Sequence, residues 1–331
     1  MGQTMMAVVA HAGRTAQNTF TLDEVPVPIL RPRDLLVRVR AVSVNPVDTK
    51  MLKRLPDGGS ITLGYDAAGV VESVGAEVTG FTSGDEVYYA GDNTRPGTNA
   101  ELHAVDERIV ARKPATLDWA EAAALPLTTI TAWESLFERL RLRADSTGTL
   151  LIVGGAGGVG SVMIQLARAL TGVTVIATAS RDDSRAWVRE LGADHVAGHR
   201  DLVAEVAPLA PDGLDWVFSA HTPGNIEAYA SLLRPFGAIV AIDDDPGSIL
   251  PLKPKAISFH WEYMFTRIIN LTPDVAEQGR LLAATAGLVD EGRLRSTLTT
   301  TLHGLNPATL SAAHELIGSG SSIGKIALTV Q

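Results

Sequence analysis

The sequence predicts an α/β protein of two domains, in which a doubly wound parallel sheet is joined to a β-rich domain. From Thr149 to about residue 243, apolar strands recur every ~25 residues with helical patterns between them, as in a parallel sheet covered by helices. Residues 1 to about 120 instead contain short β-branched runs broken by turn residues. At 331 residues, the chain is long enough for two hydrophobic cores.

The N-terminal region is predicted to form antiparallel strands. In LLVRVRAV, residues 35–42, arginines alternate with apolar residues, which predicts a half-exposed strand. The stretches AGVVESVG, DEVYYAG and RIVARKP predict further strands. The tail from about Asp274 predicts two helices and a last strand, KIALTV.

The central region alternates strands and helices. The predicted strands are TLLIVG, VTVIATA, LDWVFSA and GAIVAID, and the helices between them span about 159–170, 184–191 and 225–233. Because such strands run parallel, their carboxyl ends meet at one edge of the sheet, where ligands bind in open α/β folds.

Composition narrows the range of partners. The formal net charge is −9 and no run of Lys or Arg occurs, so a nucleic-acid partner is not expected and a small-molecule substrate is. The chain contains no cysteine, which excludes disulfides, thiolate zinc sites and a cysteine nucleophile. The N-terminus does not resemble a signal peptide and no apolar segment is long enough to span a membrane, so we expect a soluble, cytoplasmic protein.

The stretch from Thr149 to Leu170 contains five glycines between an apolar run and a helical pattern. Its loop fits G-x-G-x-x-G directly after a strand and at the start of a helix, and comprises Gly155, Ala156, Gly157, Gly158, Val159 and Gly160. Glycines let the backbone turn tightly and approach a pyrophosphate, and a helix N-terminus offers free N–H groups. The context favours dinucleotide binding over a turn without a ligand.

The end of the next strand indicates which dinucleotide is bound. An Asp or Glu there would hold the ribose 2′-OH of NAD, but the chain reads Ala179-Ser180-Arg181. The hydroxyl of Ser180 and the guanidinium of Arg181 favour a 2′-phosphate and hence NADPH. The alternative is that Ser180 caps the next helix and that Asp182 or Asp183 serves NAD.

Together with the glycine loop, the segments VSVNPVDTKM, GYDAAGVVESVG, GDEVYYAG, EAAALPLTTITAWESL and GKIAL resemble the medium-chain dehydrogenase/reductase superfamily. The chain looks most like the zinc-independent quinone oxidoreductase and zeta-crystallin branch, over nearly its whole length. The resemblance implies a GroES-like catalytic domain, residues 1–124 and 272–331, with a Rossmann cofactor-binding domain, residues 125–271, inserted into it and the active site in the cleft.

The resemblance also bears on metal binding. In the zinc enzymes of this superfamily, the segment matching SVNPVD carries a ligating cysteine and the segment matching GYDAAG carries a ligating histidine followed by an acid. This chain has Asn45 and Tyr65 in those places, with Asp66 left over. Tetrahedral zinc needs Cys, His or carboxylate ligands that converge. We therefore expect neither a catalytic nor a structural metal.

The same segments supply the candidate catalytic residues. Asn45 can donate an amide hydrogen bond to a carbonyl oxygen, and Asp48 and Lys50 can orient the substrate or the nicotinamide. Tyr65, in the place of the zinc-ligating histidine, completes the set. The alternatives are turn formation by Asn45-Pro46, a structural cap at Asp48 and a solvated charge at Lys50.

Further candidate cofactor residues follow from the resemblance and from the strand ends. The resemblance places Thr128 or Thr129 at the nicotinamide, with helix capping as the alternative. It also places His199 near the adenosine phosphate, although a loop histidine is usually solvated. Positions at strand ends and in the closing GKIAL segment give four more candidates: Ala220, Ile242, Asp243 and Lys325.

The leading functional hypothesis is an NADPH-dependent oxidoreductase that reduces quinones or α,β-unsaturated carbonyl compounds without metal. The alternatives are a reductase of acyl-thioester enones, a cofactor-binding structural or redox-sensing protein with little turnover, and a zinc-type alcohol dehydrogenase. The aromatic segment SFHWEYMF, residues 258–265, suggests core or dimer packing, so a homodimer is expected.

Overall fold

The computed structural model describes residues 2–13 and 19–330. The chain divides into two compact units, of which the first comprises Met1–Leu127 and Phe265–Gln331 and the second comprises Thr128–Met264. The second unit is therefore inserted into the sequence of the first. The predicted Rossmann domain spanned residues 125–271. The second unit starts three residues later, at Thr128, and ends seven residues earlier, at Met264.

Sixteen strands are found among the described residues. In chain order they are β1 Thr4–His11, β2 Phe20–Pro26, β3 Asp34–Ser43, β4 Ser60–Thr62, β5 Ala67–Val74, β6 Glu86–Tyr89, β7 Leu102–Asp106, β8 Val110–Arg112, β9 Thr149–Val153, β10 Thr174–Thr178, β11 His195–Ala197, β12 Leu214–Ser219, β13 Leu233–Ala241, β14 Ser258–Trp261, β15 Leu298–His303 and β16 Lys325–Thr329.

Ten α-helices accompany them in the same part of the chain: α1 Pro46–Arg54, α2 Trp119–Ala123, α3 Pro126–Trp133, α4 Gly158–Leu170, α5 Asp182–Glu190, α6 Leu202–Val206, α7 Ile226–Leu232, α8 Thr266–Asn270, α9 Glu277–Asp290 and α10 Pro307–Gly318. A π-helical segment, Glu134–Arg139, directly follows α3. None of the described helices has the length and apolar character that crossing a membrane requires.

The first unit is built on two sheets. One has three antiparallel strands in the order β2-β1-β4, and the other has seven, in the order β15-β16-β3-β5-β6-β8 with β7 also paired to β3. The predicted half-exposed strand is β3, in which Arg40 is exposed and Arg38 half-buried. Because β16 runs antiparallel to β3, the C-terminal strand lies beside the segment that leads into α1.

The second unit is the predicted doubly wound parallel sheet. Its six strands are all parallel, in the order β11-β10-β9-β12-β13-β14. The chain starts at the centre with β9, moves outward to β11, and returns to the other side with β12. This reversal between β9 and β12 creates the point at which open α/β sheets bind ligands.

The glycine loop joins β9 to α4 at this point. Gly154 has a φ of +84°, a conformation that glycine adopts without strain. A Cβ at Gly160 would lie 2.5 Å from the Gly154 carbonyl oxygen and 2.7 Å from Gly155 Cα, which is too close for any side chain. A Cβ at Gly157 would have its nearest neighbour at 3.4 Å. The loop therefore requires glycine at 160 for packing, but has room at 157.

Replacement of Gly160 by Ala should destabilise the second unit by roughly 1–3 kcal/mol in the absence of cofactor, because the new methyl group is forced into backbone atoms. The matched replacement Gly157→Ala should cost at most about 1 kcal/mol, the scale of a helix cap. Denaturant unfolding of both variants measures the difference. Equal destabilisation by the two variants would contradict this description of the loop.

Candidate functional site

The glycine loop is held by the neighbouring strand β10. The backbone N–H of Gly154 donates to Thr178 Oγ1 at 2.9 Å, and that of Gly155 donates to the Thr178 carbonyl at 3.1 Å. The first N–H groups of a helix have no partner within the helix. Since α4 begins at Gly158, the N–H groups of Gly158, Val159 and Gly160 belong to its first turn, where helices commonly bind anions.

Ser180 and Arg181 follow β10 and are both exposed. The side chain that caps the start of α5 is not Ser180 but Ser184, whose hydroxyl accepts from the N–H of Arg181 at 3.1 Å. The alternative in which Ser180 caps this helix is therefore wrong. Arg181 Nε lies 3.3 Å from Asp183 Oδ1, which also accepts from the Ser184 N–H. With this contact to Asp183, the Arg181 side chain is still about half exposed to solvent at the edge of the sheet.

His199 lies on the same edge of the sheet. It follows β11, which runs parallel to β10 with Ala197 opposite Thr178, and its side chain is exposed. Arg200, next to it, is exposed as well. The ends of β10 and β11 thus carry three basic residues: Arg181, His199 and Arg200.

Arg185 is a further cation at these strand ends. Its guanidinium donates to the carbonyls of Ala179 and Val196 at 3.0 and 3.2 Å, and so bridges β10 and β11. The sequence reasoning missed Arg185 and Arg200. The adjacency of Arg200 to His199, and the position of Arg185 one helical turn after Arg181, were the available signals.

The remaining predicted cofactor residues of this unit also follow strands. Ala220, after β12, lies next to the glycine loop, since a Cβ on Gly154 would contact the Ala220 methyl group at 3.5 Å. After β13, the Ile242 N–H donates to the Ser219 carbonyl at 3.1 Å, and a carboxylate oxygen of Asp243 accepts from the Thr222 N–H. Asp243 therefore ties together the loops that follow β12 and β13.

Thr128 and Thr129 were predicted to precede a helix. They lie instead within the first turn of α3. Both side chains are buried, with 3% and 0% exposure. Neither residue is the N-cap of α3, which directly precedes Pro126. Thr128 is the third residue of α3, the position from which Ser184 bonds to the start of α5, so capping by Thr128 stays a prediction. The contact of Thr128 with the nicotinamide stays a prediction.

The first unit contains a buried polar cluster made of Asn45, Asp66 and Lys325. Lys325 Nζ donates to the Val44 carbonyl at 2.9 Å, to Asn45 Oδ1 at 2.6 Å and to Asp66 Oδ2 at 3.1 Å. Asn45 Nδ2 donates to Asp66 Oδ2 at 2.8 Å and lies 3.4 Å from the Ser43 carbonyl. The three residues are at most 2% exposed. Lys325, predicted as a cofactor residue, thus has its hydrogen bonds inside this cluster.

Burial controls the charges of the two acids near Asn45. It raises the pKa of Asp66, and the charge of Lys325 opposes that rise. It also raises the pKa of Asp48 to about 7, although the N–H groups of Asn45 and Gly64 donate to its two oxygens at 2.7 and 3.0 Å. Asp48 thereby fixes the start of α1, as the structural alternative proposed.

Tyr65 and Lys50 complete the predicted catalytic set. The Tyr65 ring is fully buried and meets the edge of Phe265, with ring centroids 5.4 Å apart. Lys50 is half-buried on α1, two residues after Asp48. The structure thus brings Asn45 together with Asp48 and Asp66.

The polar cluster does not fit a zinc ion. Its oxygen donors surround an ammonium group, which would repel a second cation at the same place, and the chain has no cysteine. Within residues 2–13 and 19–330, no group of three or more His, Asp or Glu side chains is arranged to hold a metal.

The chain matches two protein families. Residues 31–115 match the alcohol dehydrogenase GroES-like domain, and residues 158–260 match the zinc-binding dehydrogenase family. It is 38% identical over 325 residues to the zinc-type alcohol dehydrogenase-like protein SAS2087 of Staphylococcus aureus strain MSSA476, covering 95% of this chain and 96% of that protein. It is 35% identical over 235 residues to the chloroplastic NADPH-dependent alkenal/one oxidoreductase of Arabidopsis thaliana, covering 68% of this chain and 58% of that protein.

Two solved structures share the fold. A Rhizobium etli CFN 42 protein assigned as a zinc-dependent alcohol dehydrogenase superposes with a TM-score of 0.95 at 50% identity, covering 100% of this chain and 99% of the other. The quinone oxidoreductase of Coxiella burnetii superposes with a TM-score of 0.82 at 26% identity, covering 99% and 100%. The chain therefore belongs to the medium-chain dehydrogenase/reductase superfamily of oxidoreductases, in its zeta-crystallin-like branch.

Proposed function

We propose that the protein is an NADPH-dependent oxidoreductase that reduces quinones or α,β-unsaturated carbonyl compounds without a metal ion. The observation that carries this proposal is the buried cluster in which the Lys325 ammonium lies against Asn45 and Asp66. The zinc enzymes of the superfamily have a metal ligand at the position of Asn45, and here a fixed ammonium contacts that residue instead. The alkenal/one and quinone oxidoreductases among the similar proteins support the same class of substrate.

The choice of NADPH rests on the edge formed by β10 and β11. No acid follows β10 directly, and the basic side chains of Arg181, His199 and Arg200 are exposed where the 2′-phosphate of the adenosine would lie. Phosphate oxygens make charge-assisted hydrogen bonds with guanidinium groups, and Arg binds them in bidentate fashion. In this proposal the glycine loop binds the pyrophosphate, while Ala220, Ile242, Asp243 and Thr128 line the rest of the cofactor site.

The reaction that these residues support is addition of hydride to a conjugated acceptor. When bound, the nicotinamide supplies the hydride from its C4 atom. Asn45 Nδ2 carries two N–H groups. One of them is directed at the Ser43 carbonyl, where the distance from nitrogen to oxygen is 3.4 Å, at the long limit of a hydrogen bond. This N–H group can therefore donate to a substrate oxygen instead of to Ser43, with little loss of hydrogen-bond energy. The other N–H group keeps its hydrogen bond to Asp66.

A conjugated acceptor suits such a limited donor. One amide donor supplies only about 3 kcal/mol of stabilisation, which is little for a localised alkoxide. In an enone or a quinone, the charge is instead delocalised to an enolate or hydroquinone-type oxygen. A water molecule or a loop residue then supplies the proton, and in this proposal Lys50 and Tyr65 help to orient the substrate.

We also propose a homodimer formed through the edge of the parallel sheet. Among the described strands, β14 pairs only with β13, so its outer edge is available for pairing. Trp261 and Tyr263, at the end of this strand, are each 47% exposed, whereas Phe265 from the same aromatic segment is buried. Exposed aromatic side chains beside an open strand edge are typical of an interface.

The cytoplasmic location of the protein also stays a prediction.

Replacement of Arg181 by Ala should weaken NADPH binding about ten- to a hundredfold and leave NADH binding nearly unchanged, because only NADPH carries the 2′-phosphate. Arg189→Ala is the matched control, since Arg189 is exposed near the end of α5, the helix that Arg181 directly precedes. Fluorescence titration with both cofactors measures the affinities. Equal losses for NADPH and NADH in Arg181→Ala would refute the phosphate assignment.

The purified protein should contain far less than one zinc ion per chain, and a chelator should leave its reductase rate unchanged, because the cluster around Lys325 offers no metal site. Elemental analysis and rates before and after chelation test this. One tightly held zinc ion per chain, lost together with activity, would instead favour the zinc-type alcohol dehydrogenase alternative.

The protein should oxidise NADPH in the presence of p-quinones or short enones and should show little oxidation of simple primary alcohols. Asn45→Ala should lower turnover about a hundredfold with a smaller change in NADPH affinity, because it removes a donor to the reacting oxygen. Absorbance assays over a panel of quinones, enones, enals and alcohols measure this. Tight NADPH binding without turnover of any acceptor would favour the structural or redox-sensing alternative.

A further inference from the structure

We propose that Lys325 and Asp66 are positioning residues that fix the orientation of the Asn45 side-chain amide. The catalytic consequence of this inference rests on the proposed function, in which Asn45 donates to the substrate oxygen. The orientation itself follows from the contacts of the cluster alone.

An ammonium group has three N–H donors and no acceptor, and here all three donors are used. They bond to the Val44 carbonyl, to Asn45 Oδ1 and to Asp66 Oδ2. The first two acceptors belong to the segment between β3 and α1, whereas Lys325 begins β16, so the residues are joined across a sequence separation of 280. Lys325 thus anchors this segment to the C-terminal strand.

The two charged groups permit only one orientation of the amide. An asparagine can present either its oxygen or its NH₂ group to a given neighbour. Because Lys325 can only donate and an ionised Asp66 can only accept, the oxygen must face Lys325 and the nitrogen must face Asp66. Exchange of the two ends would place donor against donor and acceptor against acceptor. The charge pair therefore determines where the second N–H of Asn45 is directed.

Asp66 is itself fixed from the opposite side. Its Oδ1 accepts from the Leu127 N–H at 2.7 Å, and its own backbone carbonyl accepts from Thr98 Oγ1 at 3.2 Å. With 0% exposure, the carboxylate can neither turn towards water nor exchange partners with it. The orientation of Asn45 thus depends on groups that are themselves immobile, as a precisely placed donor requires.

A double-mutant cycle separates positioning from simple stabilisation. Lys325→Met and Asp66→Asn each remove one partner of a buried charge pair, so both should lower stability. The double variant Asp66→Asn/Lys325→Met leaves no uncompensated charge and should recover much of that stability. Its kcat should nevertheless stay about a hundredfold below wild type, with a smaller change in the KM for NADPH, because the amide of Asn45 is no longer oriented. Recovery of kcat together with stability would overturn the proposal.

Lys113→Met is the matched control. Lys113 also has a buried side chain in the first unit and donates to two carbonyls, those of Pro114 and Leu117, at 2.9 and 2.7 Å. Its loss should lower stability without changing kcat. If Lys113→Met lowered kcat as much as Lys325→Met does, general destabilisation would explain both and the proposal would fall.

Nuclear magnetic resonance gives a readout that needs no turnover and no stable variant. In the wild-type protein, the Nδ2 protons of Asn45, assigned by their absence in Asn45→Ala, should exchange slowly with solvent, since the side chain is 1% exposed and held at both ends. Rapid exchange would overturn the orientation proposal. Slow exchange in a protein that reduces no conjugated acceptor would support a fixed Asn45 side chain and refute the proposed function alone.

Discussion

The ion pair between Lys325 and Asp66 is the interaction on which the candidate catalytic residues depend. Taking two charges out of water is costly, and the cost is offset only when each charge is fully hydrogen-bonded. Here the ammonium has three acceptors, and the carboxylate has donors from Lys325, Asn45 and Leu127. The pair is therefore satisfied only as part of the whole cluster, and a change in one member disturbs the others.

The residues around Asn45 lie in a different unit from the part of the chain that matches the zinc-binding dehydrogenase family. The match to a zinc-binding dehydrogenase family concerns residues 158–260, which lie in the second unit, whereas Asn45 and its partners lie in the first. A family match of this kind identifies the cofactor-binding fold, but the chemistry depends on the residues that meet the substrate. In this chain, those candidates are an amide, two acids and an ammonium rather than metal ligands. The conjugated acceptors that we propose as substrates delocalise negative charge and therefore suit such a set of residues.

Local pattern predicted most of the fold. The parallel sheet, the glycine loop, and the strand ends that carry Ser180 and Arg181 were all found where apolar periodicity and turn residues indicated them. Their signals lie within about 20 neighbouring residues, which is the range over which periodicity carries information. The edge strand β14 lacks such a signal, and its segment was predicted only as an aromatic stretch for core or dimer packing.

The contacts inside the candidate site could not be predicted in the same way. Asp66 was left without a role and Lys325 was assigned to the cofactor, because nothing in a single sequence shows that two residues 259 positions apart form an ion pair. Capping of α5 by Ser180 was left open as an alternative, since Ser180 and Ser184 are both plausible caps until the backbone is known. Thr128 was placed before α3 rather than in its first turn, an error of the size expected for helix boundaries.

The central claim concerns the positions of hydrogen atoms, so neutron diffraction from crystals grown in D₂O tests it most directly. The account predicts three deuterons on Lys325 Nζ, directed at the Val44 carbonyl, Asn45 Oδ1 and Asp66 Oδ2, no deuteron on the Asp66 carboxylate, and the Asn45 nitrogen facing Asp66. A deuteron on the Asp66 carboxylate, with the Asn45 oxygen turned towards it, would contradict the account, because the charge pair would then not set the direction of the amide.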